Sequence, residues 1–399
     1  MTATGTPEPL DTLSRLPHAD AVRLEGRMPL DWVDTITPAS ALADVMIDNT
    51  TLLRALLMLD DPRAGVDTEY GRNDAIQQLE RRVRLGGEVD MSVGMFDSCE
   101  IRIHPTGSAI ARMGTITQGQ GHQTTYAQII ATELGIPSEV IQVEEGDTST
   151  APYGLGTYGS RSTPVAGAAI AMAARKIHAK AKKIAAHMLE VNENDLDWEV
   201  DRFKVKGDDA KFKTMADIAW QAYHQPPQGL EPGLEAVHYY DPPNFTFPFG
   251  IYLCVVDIDR STGETKIRRF YALDDCGTRI NPMIIEGQIH GGLTEGFAVA
   301  MGQQMPFDAQ GNLLGNTLMD YFLPTFVETP HWETDHTVTP SPHHPIGAKG
   351  VAESPHVGSI PTFTSAVVDA FSHRGVTHMD MPHSAFRVWK ELKARGLAL

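Results

Sequence analysis

From residue 97 onward, runs in which apolar and polar residues alternate are interleaved with longer runs of helical periodicity. Alternation around a Pro-Thr-Gly turn predicts strand, turn and strand in CEIRIHPTGSAIARMG. Strands are also predicted in EVIQVEEGDT, LDWEV and FKVKG, and strand pairs in FGIYLCVVDIDRSTGETKIRRFYALDDCG and QMPFDAQGNLL. The helical runs are TTYAQIIATELG, TPVAGAAIAMAARKIHAKAKKIAAHMLEV, TMADIAWQAYH and MPHSAFRVWKELKARG. Helices interleaved with antiparallel hairpins favour an α+β fold over one doubly wound sheet.

Residues 1–92 differ in character from the rest and form an unassigned N-terminal segment. Its first residues are rich in Thr, Pro and Asp, which predicts disorder. Residues 39–59 carry helical periodicity, and residues 73–87 predict an amphipathic helix closed by glycines. The segment is therefore expected to be partly disordered and partly helical. A docking or dimerisation element and a remnant without a stable fold are both open interpretations.

Composition narrows the class of protein. A chain of 399 residues can form two or three domains, and its formal net charge of −18 argues against a nucleic-acid partner. No apolar run approaches the length of about 18 residues that a membrane span needs. The N-terminus lacks the apolar region of a secretory signal, and three cysteines (Cys99, Cys254, Cys276) fit a reducing compartment. We expect a cytoplasmic location, with a peripheral position at the inner face of the membrane left open.

Four polar loops that contain glycine each lead into a helical run. They are TQGQGHQ (117–123), TYGSRSTP (157–164), CGTRINP (276–282) and GAKGVAESP (347–355). In the last loop Ser354 and Pro355 predict an N-cap and a first helical position, which puts Glu353 just ahead of the helix. Free amides and the helix dipole favour anions at such N-termini. Four of them together indicate an extended anionic ligand, such as a pyrophosphate-linked cofactor.

These four loops, in this order, resemble the molybdopterin-binding large subunit of the molybdenum hydroxylases, the xanthine dehydrogenase and aldehyde oxidase family. The closest similarity is to the aerobic carbon monoxide dehydrogenases, and it covers about residues 95–399. The resemblance implies that residues 93–399 form two similar α+β units that clamp a molybdenum–molybdopterin cytosine dinucleotide. Molybdenum would be held through the dithiolene of the pterin, with no metal ligand supplied directly by the chain.

The resemblance also assigns roles to individual residues of the four loops. Glu353 would be the catalytic general base, removing a proton from the hydroxyl or water beside molybdenum. The second loop would bind the pyrophosphate, the third would contact the nucleotide end, and Lys349, Gly350 and Val351 would contact the pterin and its phosphate. Gln118 or Gln120 would donate to the ligands of molybdenum, and spacing leaves open which of them does. The full cofactor-binding set is Gln118, Gly119, Gln120, His122, Thr157, Tyr158, Gly159, Ser160, Arg161, Ser162, Cys276, Thr278, Asn281, Gln288, Lys349, Gly350 and Val351.

One expected element is missing. Carbon monoxide dehydrogenases of this family bind copper through a cysteine loop in the N-terminal half of the large subunit, and no such loop is recognisable here. The chain resembles the C-terminal half joined to an unrelated segment, and a natural split subunit and a truncated product are both open. A second polypeptide could carry the N-terminal half.

The resemblance implies oxidation of CO with water to CO2. Electrons would pass to a [2Fe-2S] small subunit and an FAD-binding medium subunit, in a dimer of heterotrimers. Without the copper loop, an aldehyde- or heteroaromatic-oxidising hydroxylase subunit is the alternative enzyme. An inactive or truncated cofactor-binding fragment, or an assembly module, is the alternative without activity.

Overall fold

The computed structural model describes residues 95–399. The helices predicted at 39–59 and 73–87 lie outside the described residues, and the division of the chain near residue 92 stays a prediction. The strands are β1 (Asp97–Ile103), β2 (Ala109–Met113), β3 (Ile141–Glu144), β4 (Leu196–Glu199), β5 (Arg202–Val205), β6 (Asp208–Thr214), β7 (Glu235–Tyr240), β8 (Phe249–Ile258), β9 (Thr265–Asp275) and β10 (Glu333–Thr337). The α-helices are α1 (His122–Leu134), α2 (Gly167–Leu189), α3 (Met215–His224), α4 (Pro282–Met301), α5 (Glu353–Asp369) and α6 (Ala385–Ala394).

The first sheet has the strand order β3-β2-β1-β7 and carries helices α1 and α2 on one face. β1 pairs antiparallel with β2 and β7, whereas β2 and β3 are parallel. Alternate residues of β1 and the alanine-rich face of α2 are buried in one hydrophobic cluster, which includes Ile101, Ile130 and Ile170. The small antiparallel sheet β4-β5-β6 and helix α3 pack against α2 and extend this cluster.

The second part of the chain is built on the sheet β10-β9-β8, against which α5 packs, and α4 packs on α5. β8 and β9 form the predicted antiparallel hairpin, and β10 joins β9 in parallel. Aromatic side chains fill this separate cluster, with Phe270 4.7 Å from Phe363 and 5.4 Å from Trp332 between ring centroids. A third cluster joins the end of α5 to α6.

The mixture of helices and strands confirms the predicted α+β class. Strands β6, β7 and β10 were not predicted because they lack an alternating apolar face: no residue of β7 or β10 is fully buried. The hairpin predicted in QMPFDAQGNLL is present only as a short antiparallel bridge between Phe307 and Leu313, without extended strands. Among residues 95–399, no helix combines the length and hydropathy that a membrane crossing requires.

A long connection between α4 and β10 exposes many large apolar side chains, and residues 305–327 of it are here named the apolar segment. Phe326 is 96% exposed, Met319 92% and Val327 89%. Short local turns shape the segment, for example the one in which Asp308 accepts from Asn312. The other apolar side chains more than half exposed in it are Met305, Phe307, Leu314, Leu318 and Leu323. Such a patch marks an interaction surface more often than free solvent-facing chain.

Candidate functional site

All four glycine-bearing loops meet at one cavity of about 240 Å³. Every residue predicted for the site lines this cavity except Gly119, which lies exposed in the first loop with a φ of +117°. The lining residues that sequence reasoning missed are Thr125, Thr163, Ile280, Ile284, Ile285 and Ala352. Each of these lies in a predicted loop or in the first turn of the helix that follows, so the positions were accessible but their side chains gave no chemical signal.

A helical N-terminus does stand at the end of each loop. α1 begins at His122 after Gly121, a π-helical turn from Ser162 leads into α2, α4 begins at Pro282, and α5 begins at Glu353. Only α4 has a side-chain cap, in which Asn281 Oδ1 accepts from the amide of Ile284 at 3.0 Å. The other three N-termini have no side-chain capping hydrogen bond, which leaves their partial positive charge for a ligand.

The predicted start of α5 is wrong by two residues. Ala352, not Ser354, is the N-cap, and Glu353 is the first helical residue. Ser354 does not cap the helix because its hydroxyl lies toward β8 and β9, where it contacts Tyr252 and Asp274.

Glu353 is held by the second loop. Ser160 Oγ donates to Glu353 Oε2 at 2.6 Å, across 193 residues of sequence. Ser160 has a left-handed φ of +52°, and a Cβ at Gly350 would lie only 2.2 Å from Ser160 Cβ. The close approach of these two loops therefore requires glycine at position 350. The predicted general base is thus fixed by a neutral donor from another loop.

Most donors of Arg161, which lines the cavity, are committed to protein partners. Its guanidinium is buried and donates to Asp97 Oδ2 at 2.6 Å, to the carbonyls of Phe96 at 2.8 Å and Met95 at 3.1 Å, and to the carbonyl of Gly156. Four of its five N–H donors are used in this way, and only Nε lacks a partner among the described residues. Arg161 therefore ties the second loop to the start of β1, and its predicted contact with a pyrophosphate stays a prediction that only Nε is free to serve.

Lys349 is similarly committed to protein partners. Its ammonium lies 3.1 Å from Asp275 Oδ1 and 3.0 Å from Thr339 Oγ1, and the side chain is buried. Asp275 also accepts from the amide of Gly277 and from the hydroxyls of Thr337 and Thr339. Of the three N–H donors of Lys349, one remains for a ligand. The predicted phosphate contact is therefore reduced to a single hydrogen bond.

The glutamines of the first loop bond to each other. Gln120 Oε1 accepts from the amide of Gln118 at 2.6 Å, and Gln120 Nε2 donates to Gln118 Oε1 at 3.2 Å. The side-chain nitrogen of Gln118 is free of the hydrogen bonds found in residues 95–399. His122 is buried, with Nδ1 3.0 Å from Glu145 Oε1 and its ring stacked on Tyr126.

The third loop contributes less polarity than its sequence suggests. Asn281 Nδ2 donates to Gln128 of α1 at 3.0 Å, so both polar atoms of this side chain hold helices in place. Burial raises the pKa of the Cys276 thiol to about 11, which keeps the group neutral. Thr278 and Gln288 line the cavity with a hydroxyl and an amide. Among the described residues, no group of three or more His, Cys, Asp or Glu side chains could hold a metal ion.

The residues that sequence reasoning missed altogether stand behind the loops. Asp97 and Glu145 hold Arg161 and His122, while Tyr252 and Asp274 contact Ser354. Of these four residues only Asp274 had a sequence signal, because it is one of two consecutive aspartates before Cys276. That pair was interpreted as the end of a strand.

The fold and this site define a molybdopterin-binding module. Residues 80–330 match the model of the molybdopterin cofactor-binding domain, and the chain belongs to that family. It is 93% identical over 309 residues to the carbon monoxide dehydrogenase large chain of Hydrogenophaga pseudoflava, which covers 77% of this chain and 38% of that protein. The chain therefore spans well under half the length of this relative.

Solved structures agree with this placement. The crystal structure of a Cu,Mo-CO dehydrogenase in the carbon monoxide reduced state matches with a TM-score of 0.75 and 70% identity, over 77% of this chain and 39% of that one. Quinoline 2-oxidoreductase from Pseudomonas putida matches with a TM-score of 0.71 and 35% identity, over 75% of this chain and 38% of that one. The residues that surround the cavity thus lie in a sequence very similar to a CO dehydrogenase large chain.

Proposed function

We propose that this chain is the molybdopterin-binding part of a carbon monoxide dehydrogenase large subunit. In the assembled enzyme, CO and water become CO2, two protons and two electrons. The observation that carries the proposal is the convergence of all four loops on one cavity beside Glu353, in a chain 93% identical to a CO dehydrogenase large chain.

The lining of the cavity suits an anionic cofactor. Glu353 is the only carboxylate among the lining residues, whereas hydroxyls, amides, Lys349 and three uncapped helix N-termini supply donors. Neutral donors and helix dipoles can bind phosphate oxygens without the desolvation cost of several buried cations. We infer that the cofactor is the molybdopterin cytosine dinucleotide, with its nucleotide end toward Cys276 and Thr278.

The residues of this chain would orient the reactants and move one proton. When bound, molybdenum would supply the two-electron acceptor and activate the oxygen that enters the product. Glu353 would accept a proton from that oxygen, and the hydrogen bond from Ser160 holds its carboxylate at the cavity. Gln118 or Gln120 would donate toward the ligands of molybdenum, and the proposal favours Gln118 because its side-chain nitrogen makes no hydrogen bond within residues 95–399.

Copper does not fit the described residues. Of the three cysteines, only Cys276 lines the cavity, and its thiol has a raised pKa and hence little thiolate character. No step of the proposal therefore passes through copper bound by residues 95–399. A copper ligand would have to come from elsewhere in the assembly.

The chain matches only 38% of the length of the CO dehydrogenase large chain, so the rest of such a subunit would have to come from another polypeptide. We propose that a polypeptide equivalent to the rest of the large subunit packs on the apolar segment, which would account for its exposure. An FAD-binding medium subunit and a [2Fe-2S] small subunit would take up the electrons, in a dimer of heterotrimers.

The test is reconstitution from defined parts. The full chain is co-expressed with the two electron-transfer subunits and with a polypeptide covering the remaining large-subunit sequence. Molybdenum is measured by mass spectrometry, cytidine monophosphate is measured after acid hydrolysis, and CO oxidation is followed by dye reduction. The proposal requires molybdenum and cytidine monophosphate in equal amounts and CO-dependent dye reduction. A preparation that lacks molybdenum contradicts it.

A second enzyme class is favoured by one observation, the match to quinoline 2-oxidoreductase with a TM-score of 0.71. The same preparation is therefore assayed with quinoline and with aldehydes. A molybdenum-loaded complex that oxidises one of these substrates but not CO would replace the first proposal with a heteroaromatic or aldehyde hydroxylase. A loaded complex inactive on all of them would indicate a cofactor-binding module without catalysis.

A further inference from the structure

Behind Glu353 lies a compact polar cluster that the proposed chemistry does not use. Asp274, at the end of β9, is 3% exposed. Its Oδ1 accepts a short hydrogen bond from the hydroxyl of Tyr252 on β8 and another from Ser354 Oγ at 3.3 Å. Tyr252 Oη and Ser354 Oγ are themselves 3.2 Å apart. The three side chains thus join two strands of the sheet to the first turn of α5.

Two glycines make room for this cluster. A Cβ at Gly250 would lie 2.2 Å from Tyr252 Oη, and a Cβ at Gly358 would lie 2.1 Å from Tyr252 Cε2. Gly358 is one turn beyond Ser354 on α5, so Tyr252 contacts the helix at two successive turns. A larger residue at either position would therefore displace the side chain of Tyr252.

The cluster explains why α5 begins where it does. Ser354 would be a good N-cap, yet its hydroxyl is used by Asp274 and Tyr252, and the helix starts earlier. This earlier start makes Glu353 the first helical residue, within 2.6 Å of Ser160 Oγ. A helix that began at Ser354 would leave Glu353 outside the helix, with a different direction for its side chain.

We propose that Asp274, together with Tyr252, is a positioning residue for Glu353: by holding Ser354 in the first turn of α5, it fixes the carboxylate of Glu353 against Ser160 and toward the cavity. The effect on catalysis rests on the proposed function, whereas the effect on the position of Glu353 concerns this chain alone. Asp274 does not line the cavity and touches no reacting group. It acts through Ser354.

The electrostatics of the cluster agree with this role. Burial, together with the nearby carboxylates of Glu286 and Asp275, raises the pKa of Asp274 to about 7, although the hydrogen bonds from Tyr252 and Ser354 act to lower it. Asp275 is neutralised by Lys349, and Glu286 lies near Arg279 and accepts from Thr334. Asp274 Oδ2 has no hydrogen-bond partner among the described residues. The neutral form of Asp274 can hold Ser354 through Oδ1 without adding a second full negative charge to this part of the molecule.

The test compares Asp274→Ala, Asp274→Asn and Tyr252→Phe with the wild type. Tyr239→Phe, which removes an exposed hydroxyl on β7, is the matched control. Hydrogen–deuterium exchange is measured on the full chain in the peptides that cover residues 157–163 and 349–358. Loss of one hydrogen bond from the cluster should speed exchange in both peptides about fivefold. Asp274→Asn keeps the acceptor oxygen and should restore most of the protection that Asp274→Ala loses.

The second readout is the activity of the reconstituted complex. Tyr252→Phe and Asp274→Ala should lower kcat by about tenfold with KM and molybdenum content unchanged, because orientation of the base is lost but binding is not. Exchange equal to wild type in both variants overturns the proposal, and so does altered exchange with unchanged kcat. If the wild-type complex is inactive, the proposed function fails, while the exchange data alone still decide whether the cluster holds Glu353 against Ser160.

Discussion

Arg161→Ala should destabilise the fold strongly, although the sequence predicts that Arg161 belongs to a loop that binds a pyrophosphate. In the structure its guanidinium forms a buried ion pair with Asp97, whose side chain is fully buried, and donates to three backbone carbonyls. Removing one partner of a buried pair typically costs about 3–5 kcal/mol, because the other charge stays buried without compensation. Whole domains are stable by about 5–15 kcal/mol, so this loss is a large fraction.

The loss of stability in Arg161→Ala is limited by its partner Asp97, which can become neutral by taking up a proton. Burial raises the pKa of Asp97 even with the guanidinium beside it, so without Arg161 this carboxyl should take up a proton more readily. We therefore expect a loss of about 3 kcal/mol, at the lower end of that range. Removing both charges in Asp97→Asn with Arg161→Met leaves no uncompensated ion, and the double variant should be more stable than the sum of the two single changes predicts.

The assay is urea unfolding of the full chain, followed by circular dichroism at several pH values. Arg175→Ala is the control, because Arg175 pairs with Glu133 through two hydrogen bonds but is 47% exposed. That exposed pair should contribute at most about 1 kcal/mol. Unfolding of Arg161→Ala within 1 kcal/mol of wild type, together with loss of molybdopterin from the reconstituted complex, would refute the reasoning and restore the pyrophosphate contact.

Three further predictions concern the base, the buried carboxyl and the apolar segment. Glu353→Gln keeps the hydrogen bond from Ser160 but removes basicity, so turnover of the complex should fall about a hundredfold or more with molybdenum content unchanged; equal turnover removes Glu353 from the mechanism. Asp274 has a folded-state pKa of about 7 against an ordinary 3.8, so its favourable contribution is full below about pH 4 and is lost as pH rises through 7. As pH rises from about 4 to 7, Asp274→Asn should therefore become more stable relative to wild type. The gain is at most about 4 kcal/mol, at about 1.4 kcal/mol per pKa unit. A difference in unfolding free energy between the two proteins that does not vary with pH contradicts this. The chain alone should self-associate through the apolar segment, and Phe326→Glu with Val327→Asp should shift its sedimentation toward monomer, whereas Val200→Asp at an exposed site on the β4–β5 turn should not.

Short sequence patterns made the loops and helices predictable. A glycine-bearing polar loop that ends at a helical run needs only neighbouring residues to form, and all four such loops lead into helices at the cavity. The positions of the lining residues followed from these loops. The architecture of interleaved hairpins and helices likewise followed from patterns of fewer than 30 residues, roughly the length of a βαβ unit.

The partners of individual charged side chains could not be predicted from such short patterns. Arg161 and Lys349 lie in the loops as expected, but their partners Asp97 and Asp275 come from 64 and 74 residues away in sequence. A buried carboxylate competes for a cation more strongly than a solvated ligand site does, and no local pattern reports that competition. The start of α5 was misplaced for the same reason, since Asp274 lies 80 residues before Ser354.

The cavity lies between two hydrophobic clusters that share few direct bonds across it. The first two loops border the cluster of α1 and α2, and the last two border the aromatic cluster of α4 and α5. Hydrogen bonds that span the gap include Ser160 to Glu353 and Asn281 to Gln128. A molecule bound by all four loops would act as a cross-link between the two clusters, because neither could come apart without releasing it. Loading of the cofactor should therefore raise the thermal stability of the subunit and its resistance to proteolysis.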